Sequence, residues 1–242
     1  MQKKSKIIFL HHSTGKNIWL GGTNKYINKL TGKSSVQDYF NKYNRTHGSE
    51  YLINEQYFPK LSPYGWKNYP FDYYNIWVRN AGDKMYLDEP TLEIITKEYD
   101  VIIFKHCYPV SKILPDTGNP DINSEDKRLE NYKLQYNAIK KKLLEFPQVK
   151  FILWTPAVHV KSQLSEEEAL RTYDFYKWIN NQWYKDGENI FLWDFYKYET
   201  EGDLYFKVDY SEGPDNSHPN IEFSSKISPL FCKFIIDVIE SR

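Results

Sequence analysis

Two segments at opposite ends of the chain carry side chains that could pass a proton between them. The first is His11-His12-Ser13-Thr14-Gly15, directly after the apolar run Lys6 to Leu10. If that run is a strand and the chain turns into a helix at Ser13, the serine hydroxyl faces the crevice beyond the strand end. Its backbone N–H then points at any anionic oxygen bound there. A serine that merely caps a helix is the plainer alternative. The second segment is Gly213-Pro214-Asp215-Asn216-Ser217-His218-Pro219-Asn220. A D-x-x-H spacing in a tight turn lets the Asp215 carboxylate reach Nδ1 of His218, fix its tautomer and leave Nε2 to take a proton from a hydroxyl. An Asx-type turn beside a surface histidine would produce the same letters.

Other chemistries are less well served. Ser13-Thr14-Gly15-Lys16 looks like part of a phosphate-binding loop, but Leu10 stands where that pattern needs Gly and Asn17 where it needs Ser or Thr. The G-x-S-x-G nucleophile elbow is absent. His11 and His12 on adjacent strand positions point to opposite faces, so they cannot both ligate one metal, and no Cys or His cluster has zinc spacing. No metal and no cofactor is expected, and His47 and His159 are left without a role.

Positioning these segments requires an alternating fold. Apolar runs at Lys6 to Leu10, Ile76 to Val78, Asp100 to Phe104, Lys150 to Trp154 and Ile190 to Trp193 suit strands buried on both faces of a sheet, the run at Ile76 being the weakest. Between them, Leu129, Tyr132, Tyr136, Ile139 and Leu143 mark a helix over 125–146 with Ser124 as its N-cap. Ser165 and Glu168 form a capping box, with Leu170, Tyr173 and Trp183 continuing on one face. A short helix is expected over 91–98. A last one carries Leu230, Phe231, Phe234, Ile235 and Val238, with Pro229 tolerable in its first turn. Strands alternating with helices predict a three-layer α/β/α domain spanning 1–242 around a five-stranded parallel sheet, with function at the carboxyl ends of the strands. The stretch at about 20–75 shows no clear period and reads as an aromatic-rich insertion forming a lid or substrate wall.

Serine after the first strand, and D-x-x-H after the last strand and before the final helix, is the order in which the chain resembles the SGNH/GDSL serine hydrolases. The first block corresponds to His11-His12-Ser13, the second to Asn80-Ala81-Gly82 and the last to Asp215-Asn216-Ser217-His218-Pro219. The resemblance implies a flavodoxin-like sheet, a Ser13-His218-Asp215 triad and an oxyanion hole from the N–H groups of Ser13 and Gly82 plus an Asn side chain. The third block departs from the family: Lys105-His106-Cys107-Tyr108 stands where the Asn is expected. His106, Cys107 or Tyr108 would have to replace that donor, with Ser111 a weaker candidate. Asn80, Tyr108 and Ser111 are expected at the substrate. Cys107 as the nucleophile is a further option, because a thiolate near His218 would be reactive.

Lysines and arginines balance aspartates and glutamates at 32 each, which removes the electrostatic case for nucleic acid or an anionic membrane as partner. Two cysteines do not make a disulfide framework. The basic start meets an apolar run too short for a signal sequence, so the chain is expected in the cytoplasm unless a leader precedes it. With 21 Tyr, 14 Phe and 7 Trp, much of it among polar residues, the surface suits stacking on sugars. The activity expected is an esterase acting on a small-molecule or carbohydrate ester, an O-acetyl ester for preference. An O-acyltransferase, or a glycan-binding protein on a degenerate hydrolase fold, are the alternatives.

Overall fold

The computed structural model describes residues 3–65, 67 and 69–241. Strands β1 (Lys4–His11), β2 (Glu50–Tyr57), β3 (Val101–Phe104), β4 (Lys150–Trp154) and β5 (Ile190–Trp193) form one sheet in the order β2-β1-β3-β4-β5, every neighbouring pair parallel. The continuous apolar runs are the central strands because helices cover both of their faces. On one face, Ile8, Leu10, Ile102 and Phe104 pack beneath helical layers carrying Tyr132, Tyr136 and Phe175. On the other, Phe9, Ile103 and Trp154 meet Trp19, Phe40 and Phe231.

The helices, in chain order, are α1 (Ser13–Leu20), α2 (Lys25–Thr31), α3 (Ser35–His47), α4 (Pro70–Tyr74), α5 (Leu92–Ile95), α6 (Leu129–Leu143), α7 (Glu166–Trp178), α8 (Phe195–Thr200) and α9 (Ile221–Glu240). Past β5 the chain also makes a two-stranded antiparallel hairpin of β6 (Ser211–Gly213) and β7 (Asn216–Pro219). Among the described residues, no helix is long and apolar enough to cross a membrane.

The residues at about 20–75 are not an insertion. They supply α2, α3 and the edge strand β2, whose alternating burial leaves only Tyr51 and Ile53 fully inside. A strand covered on one face carries half the apolar signal of a central one, which is why Glu50–Tyr57 reads as irregular. The run Ile76 to Val78 is not a strand. It lies in a π-helical turn, Asn75–Arg79, that continues α4, and its Ile76 and Trp77 are buried in the helix layer.

Other boundaries move for local reasons. Helix α6 starts after Arg128, because the Ser124 hydroxyl accepts from Asp126 N and closes a turn rather than a helix. The capping box at Ser165 and Glu168 is formed. The buried face of α7 is Ala169, Thr172, Phe175 and Trp178, while Leu170 and Tyr173 face outward. Pro229 sits inside α9 rather than in its first turn. A mid-helix proline costs ~3 kcal/mol. Pro229 and Ser225, the residue whose carbonyl it leaves unbonded, both lie on the exposed side, and the opposite side buries Phe223, Ile227, Phe231 and Ile235.

Candidate active site

Because β1 and β3 are adjacent and parallel with Leu10 opposite Phe104, residues three positions beyond each meet at the carboxyl edge of the sheet. These are Ser13 and Cys107, whose Oγ and Sγ lie 3.4 Å apart. Strand β1 also has β2 on its other side, so the chain leaves it in one direction and returns for β3 in the other, which opens a crevice at this edge. Ser13 is the first residue of α1, where backbone N–H groups have no acceptor within the helix.

The glycine of His11-His12-Ser13-Thr14-Gly15 serves close packing. A Cβ on Gly15 would stand 2.5 Å from His11 Cβ and 2.7 Å from its Cγ. His11 cannot give way easily, since it is fully buried and its Nε2 donates to Glu55 Oε2 at 2.9 Å. Gly15→Ala should therefore lower unfolding stability by roughly 2 kcal/mol, read from the denaturant midpoint; a midpoint equal to wild type would contradict this packing. His12 is likewise structural: its Nε2 donates to the Pro59 carbonyl at 2.5 Å, and burial holds its pKa down at about 4.

The hairpin brings His218 to the cavity that Ser13 also lines, where the Ser13 hydroxyl has Cys107 Sγ as its hydrogen-bond partner. Asn17 of α1 donates from Nδ2 to the Pro219 carbonyl at 2.6 Å, tying β7 to the helix that begins at the serine. Ser13 and His218 line one cavity of about 540 Å³, together with Lys16, Tyr57, Glu212 and Asn216.

The orienting group is not Asp215. That side chain is exposed, and the residue is tied down through its carbonyl, which accepts from Gln163 Nε2. Asn216 takes the position instead: its Oδ1 accepts from His218 Nδ1 at 2.7 Å and from His218 N at 3.0 Å. Its Nδ2 donates to Glu212 Oε2 at 3.2 Å, so a carboxylate stands one residue further out in the same chain of hydrogen bonds. This arrangement presents His218 Nε2 as the basic nitrogen. Burial lowers the His218 pKa below 6.5, and Lys25 and Lys105 act in the same direction against Glu212.

The second block does not reach this cavity. Gly82 N donates to Glu93 Oε2 at 3.1 Å and the Gly82 carbonyl accepts from Thr91 at 2.6 Å, while Asn80 Nδ2 bonds back to the Asn75 carbonyl at 2.9 Å. Both residues close the turn after α4, so the expected oxyanion donor Gly82 and substrate contact Asn80 are spent on local structure. The reason is the helical path of Asn75–Arg79: a strand there would have carried Gly82 to the sheet edge, and the helix does not.

Of the third block, His106 points to the opposite side of the sheet. Its ring packs edge-on against Tyr73 at 4.9 Å, and burial lowers its pKa to about 3. Ser111 is buried, donating to the Tyr108 carbonyl at 2.7 Å and meeting His159 Nδ1 at 2.8 Å. Tyr108 does reach the site, its ring held between those of His159 at 4.7 Å and His218 at 5.0 Å. His159 thereby gains a structural role, whereas His47 stacks on Tyr43 at 3.9 Å on the exposed part of α3. Cys107 and Cys232 form no disulfide.

The chain matches no family model and no curated protein. Among the described residues, no three His, Cys, Asp or Glu side chains converge as metal ligands would. A separate depression of about 950 Å³ contains neither Ser13 nor His218. It lies beside α8 and is lined by Tyr173, Tyr176, Tyr196, Tyr198 and Tyr210, so the aromatic surface suited to stacking is gathered there rather than in a lid over Ser13. Asn216, Glu212 and Lys105 were not singled out from sequence. The N-x-H spacing before the histidine was the available signal for the first; the other two carry none.

Proposed function

We propose that this chain is a serine esterase of the SGNH type, cleaving small carboxylic esters with Ser13 as nucleophile and His218 as general base. The observation that carries the reading is the shared cavity: a serine at a helix start and an imidazole oriented through Nδ1 converge on it. The strand order supports it, since β2-β1-β3-β4-β5 is the order of flavodoxin-like sheets, in which ligands bind where the order reverses.

In the first step the Ser13 proton passes to His218 Nε2 as Oγ attacks the ester carbonyl. The tetrahedral oxygen is held by the Ser13 N–H at the start of α1, and the protonated imidazole then returns its proton to the leaving alkoxide. Water, deprotonated by the same nitrogen, releases the acyl group. If a sugar hydroxyl took the place of that water, the product would be an acylated glycan. The preferred substrate is an acetyl ester, on a carbohydrate or a simple alcohol, and the cavity of about 540 Å³ that would receive it is shared with three lysines. A glycan-binding role draws support from the separate tyrosine-lined cleft of about 950 Å³.

Incubation with a fluorophosphonate should add one phosphonyl group to the peptide containing Ser13, identified by tandem mass spectrometry. Label on Cys107 instead would assign the chemistry to sulfur. A chain that stays unlabelled would remove the hydrolase reading.

A further inference from the structure

Lys105 is fully buried at the carboxyl end of β3, yet among the described residues no carboxylate stands within ion-pair distance of its ammonium. Its Nζ donates to Cys107 Sγ at 3.4 Å, and that sulfur lies 3.4 Å from Ser13 Oγ. Taking a lysine out of water is costly, and a core has no packing need for an amine that a methionine would not meet. The amine lies 5.7 Å from the Trp154 ring centroid, which offers it a cation–π partner but no counter-charge. The Asn-type donor is replaced by Cys107, and the Gly82 N–H is spent on Glu93. The site therefore lacks two of the groups that would hold negative charge.

We propose that Lys105 is a positioning residue that acts through Cys107: its ammonium donates to Sγ, the thiol S–H donates to Ser13 Oγ, and the serine O–H is thereby left directed at His218. Each hydrogen bond in this chain points the same way, from cation to nucleophile, so the alkoxide forming on Oγ meets a donor backed by a positive charge. No covalent bond of either residue is made or broken in this role. The inference rests on the esterase reading for its kinetic arm and is independent of it for the second arm.

The first arm is p-nitrophenyl acetate hydrolysis. Cys107→Ala should lose about tenfold to a hundredfold in kcat/KM, and Cys107→Ser, which keeps a donor at that place, should recover most of it. Lys105→Met should lose as much as Cys107→Ala. A Cys107→Ala enzyme as active as wild type, or a Cys107→Ser enzyme no better than Cys107→Ala, would overturn the proposal. The Cys107 pair also serves if Lys105→Met fails to fold.

The second arm is the proton NMR titration of His218, which requires no turnover. The charged and titratable groups facing that ring are Glu212 on β6, Lys25 on α2 and Lys105 behind Cys107; Tyr108 packs on it, and Lys16 and Lys29 line the same cavity. The titratable groups facing Lys105 itself are Cys107 and Glu199, and burial lowers the Lys105 pKa from its ordinary value. Removing a positive charge should raise the His218 midpoint in Lys105→Met, whereas a neutral, merely space-filling lysine would leave it in place and refute the proposal. If wild type shows no esterase activity, or Ser13→Ala equals wild type, the esterase reading fails while this titration still decides whether Lys105 carries its charge into the site.

Discussion

Ser13→Ala should reduce kcat/KM for p-nitrophenyl acetate by about 10³-fold or more, and His218→Ala by a comparable factor. The two losses should not add, because a nucleophile without its base and a base without its nucleophile disable the same step; the double variant is expected near the level of either single one. Neither change touches the core, since Ser13 and His218 are both partly exposed at the cavity wall, so thermal unfolding should stay near wild type. The pH profile carries a further expectation. The imidazole must be neutral to accept the serine proton, so activity falls as pH drops through its pKa. Burial, Lys25 and Lys105 move that pKa below 6.5 despite Glu212, so the acid limb of kcat/KM should lie below the ordinary histidine range. Turnover unchanged in Ser13→Ala, or a rate independent of pH from about 4 to 8, would exclude this pair.

Asn216→Ala should cost about 10²-fold in kcat, and Asp215→Ala less than about twofold. The difference tests which residue orients the imidazole. Asn216 Oδ1 accepts from both the ring Nδ1 and the backbone N of His218, and its own Nδ2 is held by Glu212 Oε2. Without it the ring is free to rotate and to take the wrong tautomer, which lowers kcat more than it raises KM. Asp215 is exposed and contributes its carbonyl, which alanine retains. If the two variants exchange these effects, the carboxylate of Asp215 swings onto Nδ1 in the working enzyme and the Asn216 assignment is wrong.

The alternation of strand and helix was legible wherever an element is buried on all sides. Val101–Phe104 and Lys150–Trp154 are apolar at nearly every position because helices cover both faces of those strands. Legibility failed where burial is one-sided or where an apolar run belongs to a buried helix. Glu50–Tyr57 hides two residues and shows the rest, and Asn75–Arg79 is apolar because it sits in a helix layer. Ser13 and His218 stand out as candidates because their letters and order carry chemical meaning. The D-x-x-H spacing points to Asp215 as the orienting group and leaves Asn216 unconsidered. Sequence spacing of two or three residues cannot say which side chain a hairpin turns inward.

By itself the sequence determined candidate residues for chemistry, four of the five strands of the sheet and the end of it where those residues would sit. These follow from local rules: apolar periodicity, capping residues and the reactivity of single side chains. Only the tertiary structure decided the company those residues keep. Cys107 reaches Ser13 through the parallel register of β1 and β3, Asn216 reaches His218 through the turn of a hairpin, and Gly82 is lost to the site through a helix where a strand was expected. Each depends on contacts between segments distant in the chain or on a one-residue choice of direction, and burial energy settles both only when the whole core is assembled.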